Sequence, residues 1–147
     1  MTSKTNFVAE QITLTSIGYV SRDEAAPSSA DKIAALRAET VQLVLDPRFV
    51  DALLGVEAGA DLVLLTYFHL ASHEVLQVHP RGDRARSLRG VFATRSPARP
   101  NPIGLVTVRV VRIDGNVLWV RGLDALNGTP ILDIKSYSDG FDQPYTL

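Results

Sequence analysis

The sequence predicts a mainly β chain that closes, or nearly closes, into a compact barrel of six or seven strands with one or two short helices. Three observations carry this. Apolar runs of strand length recur along the chain, most densely in its second half, with Gly, Pro, Asp and Asn between them. Asp114-Gly115-Asn116 separates two such runs (103–113 and 117–123) and is a strong hairpin signal. Helical patterning is confined to short stretches, so the chain lacks the alternating units of a parallel α/β sheet.

Residues 12–21 read as a strand in which Gly18 marks a bulge or a close backbone approach. Residues 22–30 form a polar loop around Pro27, a short helix is expected over 31–39, and 40–45 alternates as a strand. Asp46-Pro47 has the form of an N-cap followed by proline at the first helical position. The helix so started would place Phe49, Val50, Leu53 and Leu54 on one face and end at Gly55. Residues 61–70 are continuously apolar enough for a buried strand, and 74–79, 89–94 and 129–137 are further strands. Residues 138–144 read as a loop or tail. There is no internal repeat and no low-complexity tract.

At 147 residues the chain fits a single domain, 1–147, large enough to bury a core. With no cysteine, disulfides and thiolate metal sites are excluded. No apolar run reaches the length of a membrane span and the polar N-terminus has no signal-peptide core, so the expected location is cytoplasmic. The net charge of −1 hides an uneven distribution: residues 1–80 carry 5 basic and 10 acidic side chains, residues 81–147 carry 10 basic and 6 acidic. Arg81, Arg84, Arg86, Arg89, Arg95 and Arg99 fall within 19 residues against one acid, Asp83. Such a cluster is either a solvated face or a surface for phosphate or carboxylate, which the planar guanidinium binds bidentately.

The run Gly90-Val91-Phe92-Ala93-Thr94-Arg95-Ser96-Pro97-Ala98-Arg99-Pro100-Asn101-Pro102-Ile103-Gly104-Leu105 is the most informative stretch. From Arg95 to Pro102 it packs three prolines, two arginines and one asparagine into eight residues. Proline fixes its own φ and pushes the preceding residue to extended backbone, so this loop is shaped before any ligand arrives. Its carbonyls have few local donors and are expected to face a ligand, while Gly104 permits close backbone approach.

This run resembles the signature of the YaeB-like family, also called the TsaA-like or UPF0066 domain. A second block, Gly122-Leu123-Asp124-Ala125-Leu126-Asn127-Gly128-Thr129-Pro130-Ile131-Leu132-Asp133-Ile134-Lys135-Ser136-Tyr137, is similar to the family's other motif, and the two stand in the family's order. Weaker similarity includes Ser16-Ile17-Gly18 and Tyr67-Phe68-His69. The resemblance implies a YaeB-like β-barrel that binds S-adenosyl-L-methionine and methylates tRNA on the exocyclic nitrogen of an adenosine beside the anticodon, N6-threonylcarbamoyladenosine at position 37. It also implies a homodimer, for which the acidic and basic halves offer complementary surfaces. The family's cofactor shell maps onto His69, Leu70, Arg95, Leu105, Asp124, Ala125, Leu126 and Asn127. In it Arg95 would hold the cofactor carboxylate, Leu105 would pack on the adenine, and the 124–128 loop would offer backbone carbonyls and amides to the adenine edge. Arg95 as a loop-stapling ion pair, and His69 as a core histidine, remain alternatives.

A Rossmann-type site is excluded, because Gly55-Val56-Glu57-Ala58-Gly59-Ala60-Asp61 precedes a strand instead of following one and opening a helix. His69, His73 and His79 match no closed metal-ligand spacing, and no metal is expected. The last strand is the candidate for catalysis. Strict alternation places Ile131, Asp133, Lys135 and Tyr137 on one face and Leu132 and Ile134 on the other. An exocyclic adenine amine is a weak nucleophile, so catalysis rests on alignment with the methyl–sulfur axis and a proton acceptor. Asp133 is the expected acceptor or orienter, with Lys135 and Tyr137 positioning the substrate; an exposed Asp–Lys pair on a barrel wall is the competing reading.

The chain departs from the family pattern in places. Asn127 stands where the family has Asp, Ser136 where it has Pro, and Ala25-Ala26-Pro27-Ser28-Ser29 where bacterial members carry Pro-Arg-Gln. The chain also ends before the C-terminal domain of longer members. A methyltransferase acting on a smaller acceptor, or a non-catalytic adenosylmethionine-binding module, are therefore the alternative functions.

Overall fold

The computed structural model describes residues 6–23 and 30–146. Its strands are β1 (Gly18–Ser21), β2 (Val41–Leu45), β3 (Asp61–Tyr67), β4 (Gln77–Val78), β5 (Arg89–Gly90), β6 (Ile103–Asp114), β7 (Val117–Arg121) and β8 (Pro130–Ser136). The helices are α1 (Ala30–Ala38) and the single turn α2 (Asp139–Asp142). Six strands close an antiparallel barrel in the order β1-β2-β7-β6-β3-β8, while β4 and β5 pair apart from it. The expectation of a six- or seven-stranded barrel is met at six.

A six-stranded barrel is narrow enough for its own side chains to fill. Alternate residues point inward: Val41, Leu43 and Leu45 from β2, Leu62 and Leu64 from β3, Val108 and Val110 from β6, Leu118 and Val120 from β7, all buried. The longest hairpin is β6–β7, turning through Gly115 at φ 57° and Asn116, as the Asp-Gly-Asn signal required. Asn116 Nδ2 donates to the Leu45 carbonyl at 2.7 Å, so the turn also fastens the end of β2.

Closure depends on the short strand β1, which pairs with β2 at four positions but with β8 only at Gly18–Ile131 and Tyr19–Pro130. Three backbone bonds extend this seam: Ile17 N–H to Ile131 O, Val20 N–H to Thr129 O, and Gly128 N–H to Val20 O. The strand expected from residue 12 thus begins only at Gly18; residues 6–16 have no barrel partner and lie exposed.

Other differences have local causes. Asp46 caps as expected, accepting from the Arg48 N–H at 3.0 Å with Pro47 next, but the turn it starts is a 3₁₀ segment (Pro47–Leu53) that buries none of its residues. The strands expected over 74–79 and 89–94 shrink to two residues each, and Val91–Ala93 turns as 3₁₀, because Val91 alone is pulled into the interior. In β8 the pairing slips: Leu65 faces Asp133 while the adjacent Thr66 faces Ile131, leaving Leu132 as an extra residue. This bulge corrects the expected alternation. Ile131 is fully buried and Ile134 packs on the core, so Ile131 does not share the face of Asp133 and Lys135. The Pro27 loop, with the Ala25–Ser29 stretch compared above, lies outside the described residues.

Gly18 sits where β1 is squeezed between β2 and β8. A Cβ there would collide with the Val44 carbonyl oxygen and lie 2.9 Å from Leu45 Cα, both backbone atoms that cannot rotate away. Gly18→Ala should therefore destabilise the fold by about 1–3 kcal/mol, the usual range for overpacking, as a lowered urea midpoint in equilibrium unfolding.

Candidate functional site

One end of the barrel gathers the chain segments singled out in the sequence. Strand β3 leaves the barrel there at Tyr67, β6 enters at Ile103, and β8 enters at Pro130, because Tyr67 pairs with Ile103 and Thr66 with Ile131. The turn at residues 68–71, the loop at 91–102 and the loop at 122–129 therefore emerge side by side.

Each segment is held by its own bonds. At the first, His69 N–H donates to Tyr67 O and Ala71 N–H to Phe68 O, leaving the His69 and Leu70 side chains exposed. His69 is thus no core histidine. His73 contacts Tyr67 instead, Nε2 lying 2.9 Å from the phenol oxygen, and His79 Nδ1 lies 2.8 Å from the Arg86 carbonyl. Gly104 lets the entry to β6 press against β3; a Cβ there would fall 2.5 Å from Phe68 Cζ and from Thr66 Oγ1.

In the 91–102 loop, the two arginines divide their work. Arg99 folds its guanidinium back onto the carbonyls of Val91 (3.0 Å), Ser96 (3.1 Å) and Thr94 (3.3 Å), and its N–H donates to Ser72 O. The staple is Arg99. It also consumes carbonyls that were expected to face a ligand, a correction to the sequence reading. Arg95 is exposed and makes one long bond, to the Leu105 carbonyl at 3.4 Å, which leaves most of its donors unengaged.

The 122–129 loop is organised by Arg22, which sequence reasoning missed. Its guanidinium is buried and donates to Leu123 O (2.8 Å), Ala125 O (3.2 Å) and Leu36 O (3.1 Å), and pairs with Glu39 at 3.1 Å. Leu36 lies in the last turn of α1, whose carbonyls lack helical partners and favour a cation. One side chain thus caps a helix and shapes a loop. Arg22 N–H also donates to Asn127 Oδ1 at 3.0 Å. The only signal in the sequence was a lone arginine following a strand, which also suits a solvated loop. With Leu123, Ala125 and Leu126 carbonyls occupied by Arg22 or Thr129, the loop offers amides more than carbonyls. The N–H groups of Asp124, Ala125, Leu126 and Asn127 donate to no protein acceptor among the described residues.

The outer wall carries the remaining candidates. Leu105, Leu65 and Asp133 form one cross-strand row over β6, β3 and β8, and Thr107, Val63 and Lys135 form the next. Beyond them Asp61 pairs with Arg109 at 2.9 Å, and Tyr137 N–H donates to the Asp61 carbonyl. Asp133 therefore shares a row with Leu105 but stands two strands from it, about 10 Å with Leu65 between them, whereas Tyr137 is four residues further along the chain, about 13 Å at strand spacing. Asp133 and Lys135 are ion-paired at 2.8 Å. That bond raises the Lys135 ammonium pKa, and Arg109 lowers that of Asp61. A hydrogen bond with Asp139, reinforced by its charge, raises the Tyr137 phenol above its ordinary range. Lys135 is therefore a cation and Tyr137 a neutral phenol at neutral pH, groups suited to holding an anion or a hydrogen-bond acceptor rather than to taking a proton. Among the described residues no three His, Asp or Glu side chains converge as a metal site, and no helix is long and apolar enough to cross a membrane.

Residues 19–143 match the tRNA-methyltransferase O N-terminal domain family. The chain belongs to this family. Among its relatives is a probable S-adenosyl-L-methionine-binding protein of Methanothermobacter thermautotrophicus, 40% identical over 132 residues, covering 90% of this chain and 94% of that protein. The tRNA (adenine(37)-N6)-methyltransferase of Rattus norvegicus is 36% identical over 97 residues, 65% of this chain and 22% of the rat protein. The crystal structure of TrmO from Pseudomonas aeruginosa superposes with a TM-score of 0.71 at 32% identity, covering 90% of this chain and 59% of that one. The chain thus spans about three fifths of the length of that solved structure.

Replacing the guanidinium should expose how much of this end depends on it. Arg22→Ala strands three carbonyls in a buried setting, and a hydrogen bond to a charged group contributes about 1.5–3 kcal/mol. The expected loss is at least about 3 kcal/mol in urea unfolding, with faster hydrogen exchange of the hydrogen-bonded Gly122, Gly128 and Thr129 amides that flank the loop; a variant with unchanged stability and protection would refute the assignment.

Proposed function

We propose that this chain is an S-adenosyl-L-methionine-dependent methyltransferase that acts on N6 of a tRNA adenosine beside the anticodon, the N6-threonylcarbamoyladenosine at position 37. The observation that carries the reading is the placement at one barrel end of Arg95 on the Leu105 carbonyl, of Leu105 and Asp133 in one cross-strand row, and of the 124–127 amides, which have no protein acceptor among the described residues. The cofactor has three recognisable parts, and each has a partner in this chain. Unengaged Arg95 donors suit its carboxylate, the exposed Leu105 side chain suits the adenine face, and the free amides suit the acceptor nitrogens of the adenine edge. His69 and Leu70 border the same space. When bound, the cofactor supplies an electrophilic methyl on a sulfonium.

The chain's own residues then have to present the amine in line with the methyl–sulfur bond and accept its proton. Asp133 is the acceptor or orienter, since it is half exposed and lies in the same cross-strand row as Leu105. Lys135 fixes the Asp133 carboxylate, and Tyr137, farther along the wall, offers a neutral phenol to the substrate. A second reading is favoured by the same ion pair: if Lys135 keeps Asp133 occupied, the chain is a cofactor-binding module without turnover.

The proposal includes one domain over 1–147, a cytoplasmic location and a homodimer. The exposed apolar side chains of Phe7, Val8, Ile12 and Leu14, together with Phe141 and Tyr145, support association with a second copy. Static light scattering across a dilution series should give twice the 16.0 kDa chain mass; a mass equal to one chain at every concentration overturns the dimer.

Calorimetry with adenosylmethionine should detect binding without RNA, and nucleoside mass spectrometry should detect N6 methylation of tRNA. Arg95→Ala should weaken cofactor binding by about 1.5–3 kcal/mol. Asp133→Ala should lower turnover with cofactor affinity nearly unchanged, because its interaction is realised mainly in the transition state. Cofactor binding by the wild-type chain with no methylation of any tRNA would select the non-catalytic module.

A further inference from the structure

Between β3 and β6 the chain leaves the barrel for residues 68–102, and the outer part of this excursion has no use in the site described so far. Its residues 81–90 are all exposed. Asp83 is the only acid between Glu74 and Asp114, against eight arginines. Most of the arginines nearer the barrel are engaged: Arg99 staples its loop, Arg109 pairs with Asp61, and Arg112 pairs with Asp114 and stacks 4.4 Å from the Trp119 ring centroid. Arg81, Arg84 and Arg89 have no carboxylate within ion-pairing distance among the described residues.

The arginines nevertheless stand on an ordered turn. Gly82 N–H donates to His79 O, Asp83 N–H to Pro80 O and Arg86 N–H to Asp83 O, while the Asp83 side chain accepts from Ala85 N–H at 2.9 Å. His79 Nδ1 closes the turn on the Arg86 carbonyl. Arg81 is held at φ 57°, in the left-handed region that costs energy for a residue with a Cβ, and no other described non-glycine residue has a positive φ. Two residues after β5 comes Phe92, 84% exposed on a turn whose Val91 is buried and whose backbone is gripped by Arg99. An apolar ring so exposed, on a support so fixed, is a surface for another flat group.

Unpaired guanidinium groups in series suit a repeating polyanion, and an adjoining rigid aromatic suits an unstacked base; the two together are the recognition chemistry of single-stranded RNA loops. We propose that residues 79–92 form an RNA-docking arm, in which Arg81, Arg84 and Arg89 contact backbone phosphates and Phe92 stacks on a loop base. This deepens the methyltransferase reading and rests on it. Because the same excursion carries Arg95 into the cofactor site, RNA gripped by the arm is delivered to the end of the barrel where the methyl group would be transferred.

The test titrates a fluorescent anticodon stem-loop RNA containing the position-37 adenosine into the full chain over a series of KCl concentrations. Wild type, Arg81→Gln/Arg84→Gln/Arg89→Gln and Phe92→Ala are compared. Each phosphate contact contributes roughly 0.7–0.9 to the slope of log affinity against log salt, so the triple variant should lose about 2–3 from that slope. Its RNA affinity near 0.1 M salt should fall about tenfold or more. Phe92→Ala should lose affinity severalfold with its slope unchanged. Calorimetric affinity for adenosylmethionine should stay at the wild-type value in both, which separates RNA docking from damage to the fold. A triple variant with wild-type slope and affinity overturns the arm, as does one whose defect is a change of oligomeric mass in light scattering. If the wild-type chain methylates RNA and the triple variant does so with the same KM, the arm fails while the methyltransferase reading stands. If the wild-type chain neither binds nor methylates RNA, both fall together.

Discussion

The guanidinium of Arg22 is the point on which the candidate site depends. It lies at the end of β1, the strand that closes the barrel, and reaches the last turn of α1 and the loop leading to β8. Burying a cation is costly unless its donors find acceptors, and here four of the five N–H directions belong to NH1 and NH2, which have partners, while Nε has none. That arrangement is specific in a way apolar packing is not. A leucine in this place could fill the volume, but it could not require Leu36, Leu123 and Ala125 to turn their carbonyls toward one another. With those carbonyls taken, the intervening amides are left without a protein acceptor among the described residues.

The site is therefore assembled by subtraction. Arg99 takes the carbonyls of its own loop, Arg22 and Thr129 take those of the other, and what remains for a ligand is a set of donors: the Arg95 guanidinium and a row of backbone amides. A donor-rich space suits a ligand with a carboxylate and a heteroaromatic ring of acceptor nitrogens. Because the loops are already bonded, little ordering should accompany binding, and the affinity should reflect contacts more than it reflects entropy lost.

Much of this was legible in the sequence, and the limits have physical causes. The barrel followed from strand-length apolar runs and from one hairpin signal, both local properties. The two motif blocks located the loops, since prolines and glycines fix backbone shape wherever they occur. The β8 alternation failed because a bulge is set by pairing with β3, a nonlocal matter that no period-2 pattern contains. The strand from residue 12 failed for a similar reason: an apolar alternation is necessary for a strand, but only a neighbour with free backbone groups completes one. Arg99 and Arg95 look alike in sequence, and only the fold shows that one staples its loop while the other keeps a single long bond. Arg22 carried no motif at all, because its meaning comes from residues about 15 and 100 positions away.

Among the described residues the strands point apolar side chains into the barrel, with Thr66, Thr129 and the Arg22 guanidinium the buried polar groups, while Arg95, Leu105, Asp133 and Lys135 stand on its outer wall or at its end. Foldability and chemistry therefore occupy separate surfaces of the same strands. Such a division makes the scaffold evolvable: outer residues can drift toward a new methyl acceptor without disturbing the packing, and core substitutions can tune thermal tolerance without touching selectivity. Lineages could have diversified their acceptors on an interior that changed slowly, so divergence among relatives should concentrate on the excursion and the wall while the inward-facing positions keep their apolar character.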